Sequence, residues 1–262
     1  MTDSSLAELA KRRVVLLCIH GMYGGGWYFA DWLEHFRNVD LGGVALDLRG
    51  HHDSPLMPNE MLGDVSLRDY ADDVLAVIAL LVHAGVPQKR IVLVGHSMGG
   101  LIAQMVAAEH VVGPLVLVAS AVPKPQPHYG RLFDSLRTLR FKEKMLPTGR
   151  GKILLPANPS VVRRLFAGIP EPLMSQTIAR LVPESSRARH EIARGIAIRR
   201  HTQYPPTLII AGRRDPIVPQ AVLYALHLHT PRSSFYACRS GHFPMLEPIA
   251  TRVAEKIVRY VS

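Results

Sequence analysis

Between an apolar run, Ile91-Val92-Leu93-Val94, and a helix-like stretch from Leu101 to Ala108, the chain reads Gly95-His96-Ser97-Met98-Gly99-Gly100. Few local patterns limit a fold so tightly. A strand, a serine between glycines and a helix join only through a turn with no room for side chains on its flanks. Such a turn lifts the Ser97 hydroxyl off a sheet edge and sets it at a helix N-terminus, where negative charge is stabilised. A glycine-rich turn alone is a weak pattern. The strand before it and the helix after it give it meaning.

A serine hydroxyl is a poor nucleophile until a base takes its proton and a third group orients that base. Two later strand ends supply candidates. The run Thr207-Leu208-Ile209-Ile210-Ala211 leads into Gly212-Arg213-Arg214-Asp215-Pro216, and Ser234-Phe235-Tyr236-Ala237-Cys238 leads into Ser240-Gly241-His242-Phe243. Either residue could be an ordinary loop residue. Together with Ser97, each at a strand's carboxyl end, Asp215 and His242 are expected to meet on one sheet edge.

Acyl transfer also needs donors for the oxygen that gains charge. Val14 to Ile19 reads as a strand and runs into His20-Gly21-Met22-Tyr23-Gly24-Gly25-Gly26-Trp27. Glycines there let backbone approach a substrate closely. The expected donors are the amides of Met22 and Met98. Gly21, Tyr23 and His96, which flank them, are the candidate substrate contacts.

With these motifs in view the chain resembles the α/β-hydrolases, in particular small serine esterases with a His-Gly-x-x-Gly-Gly loop at 20–25, an Asp-Leu-Arg-Gly-His turn at 47–51 and the Gly-His-Ser-Met-Gly-Gly elbow. The likeness covers Arg13–Ser120 and Pro205–Ser262. It implies Ser97 as nucleophile, His242 as base, Asp215 as orienting acid, and Met22 and Met98 as oxyanion donors. Three departures stand out. The segment before Val14 is short and helix-like, so the leading hairpin usual in the family is expected to be missing or reduced. The turn after Arg49 reads Gly50-His51-His52-Asp53-Ser54, where relatives have glycine at the third position; a positive φ at His52 would be strained. The strand ending at Ala119-Ser120 offers no carboxylate, leaving Asp215 as the acid.

Apolar runs centred near Leu16, Ala45, Val92, Leu117, Ile209 and Tyr236 are continuous rather than alternating, as parallel strands covered on both faces should be. The expected fold is an α/β-hydrolase, a mostly parallel sheet of about six strands with helices on both faces. Its core would be residues 1–122 and 204–262, with a helical lid at 123–203 that carries no strand signal. The clearest helix is Leu67 to Ala84, opened by Ser66 and Asp69 and stopped by Gly85 and Pro87. Cys18 and Cys238 read as small buried residues. The N-terminus lacks the features of a signal peptide and no run is long enough for a membrane span, so a cytoplasmic location is expected.

Charge is uneven. Lys124–Gln203 holds sixteen Lys or Arg against five Asp or Glu, a net of +11, while the whole chain is +10. The basic residues include Arg137, Arg140, Lys142, Lys144, Arg150, Lys152, Arg163, Arg164, Arg187, Arg189, Arg194, Arg199 and Arg200. Such a surface could steer an anionic partner such as an acidic acyl-carrier protein or a coenzyme A thioester, or simply face water. Sparse aromatics argue against nucleic acid. No cofactor is expected: the glycines lack a dinucleotide fingerprint, and His51-His52 without a matching cluster does not make a metal site. The reaction expected is hydrolysis of a carboxylic ester through an acyl-enzyme. Thioester hydrolysis and carbon–carbon hydrolysis remain alternatives, as does a receptor-like binding role with slow turnover. Ser97 argues against haloalkane dehalogenation, which needs a carboxylate nucleophile at that position.

Overall fold

The computed structural model describes residues 3–55, 57–124, 152–154, 162–163, 165–199 and 204–262. Helix α1 (Asp3–Ala10) precedes strand β1 (Val15–Ile19). A short 3-10 turn (Gly26–Phe29) leads to α2 (Ala30–Asn38), β2 (Gly42–Leu46), α3 (Asn59–Gly63) and α4 (Leu67–His83). Then come β3 (Ile91–His96), α5 (Met98–Glu109) and β4 (Leu115–Val118). Between β4 and the next strand of the main sheet lie β5 (Ile153–Leu154), α6 (Leu173–Ala179), β6 (Glu184–Ser185) and α7 (Ser186–Arg194). The chain finishes with β7 (Thr207–Gly212), α8 (Gln220–Leu228), β8 (Ser233–Cys238) and α9 (Ala250–Val261).

Six strands form one parallel sheet in the order β2-β1-β3-β4-β7-β8. The central strands are buried along their whole length, which accounts for their unbroken apolar runs. The edge strands β2 and β8 are only partly covered. On one face Leu17, Ile19 and Leu93 pack with Tyr70, Val74 and Ile78 of α4 and Leu101 and Ile102 of α5. On the other, Leu16, Cys18 and Val94 pack with Trp32 and Phe36 of α2 and Val253 and Ile257 of α9. Burying each large side chain contributes about 1.5–3 kcal/mol. The Ser66–Asp69 capping box opens α4, and Gly85, with φ +96°, follows it. Both cysteines are free and buried.

One sequence expectation is corrected. The region 123–203 contains strand structure, because β5 and β6 pair antiparallel through Ile153↔Ser185 and Leu154↔Glu184. Two residues per strand are too few for any periodicity to show. No helix among the described residues is long and apolar enough to cross a membrane.

The sheet's order positions the site. The chain leaves β1 toward β2 on one side and leaves β3 toward β4 on the other, so a crevice opens beyond the carboxyl ends of β1 and β3. Their register pairs Ile19 with Gly95. His20-Gly21 and His96-Ser97 therefore emerge level with each other.

Candidate active site

Ser97 lies between β3 and α5 with φ 51° and ψ −118°. A left-handed, non-glycine conformation costs about 1–3 kcal/mol and persists only where its surroundings hold it. Here Ser97 donates its N–H to Val118 O (3.0 Å), and its own carbonyl accepts from Ala121 (2.8 Å) and Gly100 (3.0 Å). The flanking glycines are sterically required. A Cβ on Gly95 would lie 2.4 Å from Gly99 O, and one on Gly99 would lie 2.3 Å from Ile19 O. Within residues 91–100 only Ser97 is not buried. Met98 begins α5, so its N–H has no partner inside the helix.

The loops after β7 and β8 bring Asp215 and His242 together. His242 Nδ1 and Asp215 Oδ2 are 2.8 Å apart, with both residues buried. The other carboxylate oxygen, Oδ1, accepts from the N–H groups of Ile217 (2.7 Å) and Val218 (2.9 Å). A carboxylate so placed accepts a hydrogen bond from Nδ1–H and leaves His242 Nε2 as the basic nitrogen. The His242 loop is fastened at two more points. His96 Nε2–H donates to His242 O at 2.9 Å, and Gly241 N–H reaches both oxygens of Glu247 at 2.8 and 2.9 Å. Burial pushes Glu247 above the ordinary carboxylate range, against the Gly241 hydrogen bond.

His96 thus ties the strand that carries Ser97 to the loop that carries His242. Its ring is buried, 4.9 Å from that of His242, and its Nε2 is committed to the link between the two loops. Burial and then the neighbouring His242 hold it well below the usual histidine value, as a neutral ring.

The loop after β1 comes against Ser97. A Cβ on Gly21 would lie 2.9 Å from Ser97 Cβ and 3.0 Å from His96 Nδ1, an approach only glycine permits. His20 anchors this loop from below. Its Nε2 accepts from Leu48 N–H at 3.1 Å, so Nδ1 carries the proton and donates to Gly21 O at 2.8 Å. Burial first, and nearby His51 second, depress His20 to about 3, which keeps it neutral. With Gly21 C=O held this way, the trans peptide points the Met22 N–H in the opposite direction. Asp47 holds the far end of the loop by accepting from Gly26 N–H at 2.7 Å.

Left-handed residues follow four neighbouring strands in turn: Tyr23 (φ 64°) after β1, His52 (φ 41°) after β2, Ser97 after β3 and Ala119 (φ 46°) after β4. The strain anticipated at His52 is present. The adjacent histidines diverge. His51 faces Glu184 (Nε2 to Oε2, 3.3 Å), whereas His52 Nε2 accepts from Trp27 Nε1–H at 2.9 Å. Among the described residues no group of three or more His, Cys, Asp or Glu could hold a metal ion.

Glu184 and Glu247 escape a reading of the sequence. Neither sits in a motif, and Glu184 meets its partners only after the chain has folded back from β6. The basic residues of 124–203 are placed in part. Arg163 pairs with Glu171 (2.6 Å), Arg187 pairs with Glu191 (3.2 Å), and Arg189 is buried. Arg137, Arg140, Lys142, Lys144, Arg150, Arg164 and Arg200 lie outside the described residues.

The fold and this edge define an α/β-hydrolase. A model of the alpha/beta hydrolase family matches residues 15–255, and the chain belongs to that family. It is 26% identical to the uncharacterized hydrolase YugF of Bacillus subtilis (strain 168) over 240 residues, 88% of this chain and 84% of that one. It is 36% identical to mouse protein phosphatase methylesterase 1 over 106 residues, 39% of this chain and 25% of that protein. Among solved structures, the Arabidopsis methylesterase MES16 superposes with a TM-score of 0.73 at 17% identity, covering 95% of this chain and 98% of the other, and so shares the fold.

Proposed function

We propose that this hydrolase cleaves a carboxylic ester through an acyl-enzyme on Ser97. The observation that carries the reading is the 2.8 Å contact of His242 Nδ1 with Asp215, tied by His96 to the strand that presents Ser97. Ser97 Oγ attacks the ester carbonyl as His242 Nε2 takes its proton, and Asp215 stabilises the imidazolium that forms. The Met22 and Met98 amides receive the oxyanion. His242 returns the proton to the departing alcohol, then activates a water that releases the acid. Residues 123–203, inserted between β4 and β7, serve in this reading as the lid segment that selects the substrate. Two of the matched proteins bear the name methylesterase, which makes a small alkyl ester the first substrate class to try.

The net charge of +11 across Lys124–Gln203 favours a second reading, an anionic thioester or a carrier-bound acyl group. The ion pairs of Arg163 with Glu171 and Arg187 with Glu191 are already balanced within that net charge, so the excess rests on the other basic residues.

Hydrolysis of p-nitrophenyl esters of graded chain length, with Ser97→Ala as control, tests the proposal. Turnover is expected to fall by about 10³-fold or more in the variant with its melting temperature kept. Comparable turnover in both proteins would refute the mechanism. Activity only on coenzyme A or carrier-protein thioesters would move the assignment to the second reading.

A further inference from the structure

Resting on the serine-esterase reading, the next inference concerns how Met22 is held. The peptide before Met22 is fixed by His20, which donates to Gly21 O. The peptide after it ends at Tyr23, and both backbone groups of that left-handed residue are taken by the segment leading into β6. Val182 N–H donates to Tyr23 O at 3.1 Å, and Tyr23 N–H donates to Glu184 Oε2 at 3.4 Å. Met22 therefore stands between two clamped peptides, and one clamp is a carboxylate from the region between β4 and β7.

That carboxylate is fully buried and densely partnered. Tyr70 OH donates to Oε1 at 2.6 Å, Ser185 N–H donates to the same oxygen at 2.7 Å, and His51 Nε2 lies 3.3 Å from Oε2. His51 Nδ1 lies 3.1 Å from the carbonyl oxygen of Arg49. Both ring nitrogens of His51 thus face pure acceptors, so both carry protons and the ring is a cation. His20, with its ring centroid 5.0 Å away, cannot share that charge because it accepts from Leu48. Asp47 and His52 complete the charged and titratable surroundings of His51 and His20. The same stretch of chain is braced nearby, where the Arg180 guanidinium lies 4.1 Å from the centre of the Trp27 ring.

We propose that Glu184 is a positioning residue for the oxyanion hole: its carboxylate, held by the His51 cation and Tyr70, fixes the Met22–Tyr23 peptide and with it the direction of the Met22 N–H. The region between β4 and β7 is then part of the catalytic apparatus, beyond any role in choosing substrates. A left-handed tyrosine in this loop needs such outside support to stay in place. Loss of the carboxylate weakens charge stabilisation in the transition state and leaves ground-state binding of the ester alone.

The test compares wild type with Glu184→Gln and Glu184→Ala by kcat and KM on p-nitrophenyl acetate and by inhibition with a trifluoromethyl ketone. That inhibitor forms a tetrahedral oxyanion on Ser97. Labelling of Ser97 by a fluorophosphonate is followed alongside. The expected result is a 10- to 100-fold fall in kcat with KM within threefold of wild type, and a matching loss of inhibitor affinity. A generally loosened fold would change KM as well and would not track the inhibitor. Wild-type kcat and inhibitor affinity in either folded Glu184 variant would overturn the assignment. If both variants melt below the assay temperature, Tyr70→Phe decides: a several-fold fall in kcat at unchanged KM supports the role, and unchanged kcat overturns it. A wild-type protein inert to esters and to fluorophosphonate would instead remove the serine-esterase reading itself, and the inference with it.

Discussion

Glu184, far along the chain in β6, and Glu247, six residues beyond Gly241, each hold one of the loops beside Ser97, and the two carboxylates are kept in opposite conditions. Glu184 accepts from Tyr23, Ser185 and Tyr70 and faces the His51 cation. Burial acts to raise it, yet the charge and hydrogen bond of His51, with Tyr70 and Ser185, leave it below the ordinary carboxylate value of 4.5. Glu247 takes the Gly241 N–H on both oxygens and has both Asp215 and His242 close by, and burial leaves it above that value. Burial alone does not dictate a charge state. The partners decide it, and here they make one loop anchor ionic and bring the other closer to a neutral acid.

The contrast can be broken at its ionic end first. Glu184→Ala strands a buried imidazolium and should cost about 3–5 kcal/mol of stability, read from urea denaturation. A loss below about 1 kcal/mol would mean His51 is neutral and the pairing argument is wrong. Glu247→Ala leaves only the backbone N–H groups of Gly241 and Phe243 without their acceptor, and the same experiment should give about 1–3 kcal/mol. If Glu247→Ala proves the more damaging of the two, the ranking drawn here is reversed.

Acidity sharpens the comparison. Glu184, depressed in the fold, contributes stability that is present above pH 4.5 and lost as pH falls through its folded value. His51 is pushed down by burial but raised overall by Glu184, so its contribution is present below 6.5 and lost as pH climbs through its raised value. Glu247 has the reverse sign to Glu184: ionising it in the fold is unfavourable, and stability declines as pH rises from 4.5 through its folded value. Thermal melts from pH 4 to 9 should show Glu247→Gln flattening the slope just above 4.5, and His51→Gln flattening the slope above 6.5. Identical profiles for all three proteins would contradict both assignments. The smallest effect is expected for Arg180→Ala, where losing the contact with the Trp27 ring should cost about 0.5–1 kcal/mol.

What could be read in advance follows from distance along the chain. The elbow at Ser97, the strand ends before Asp215 and His242, and the capping box at Ser66 are each written within a dozen residues, and periodicity or turn chemistry exposes them. The helix before β1 is equally legible, because Ser4 to Ala10 repeats at helical spacing. Glu184 is different. Its partners Tyr23, His51 and Tyr70 stand 161, 133 and 114 residues away, and no local pattern links them. His51 and His52 draw the eye as a pair, yet only the folded chain shows them turned to unrelated partners. His96 Nε2 bonds to His242 O, a link between two loops that sequence alone does not announce.

The left-handed residues that follow β1 to β4 carry a consequence for anyone who tries to make this protein hardier. Tyr23 and His52 each hold a conformation that glycine would adopt with little strain, so screens for heat resistance should be drawn to them. Both lie on the edge where catalysis is proposed to occur. Durability and turnover would then pull the same positions in opposite directions, and gains in the first should be sought on the far side of the sheet.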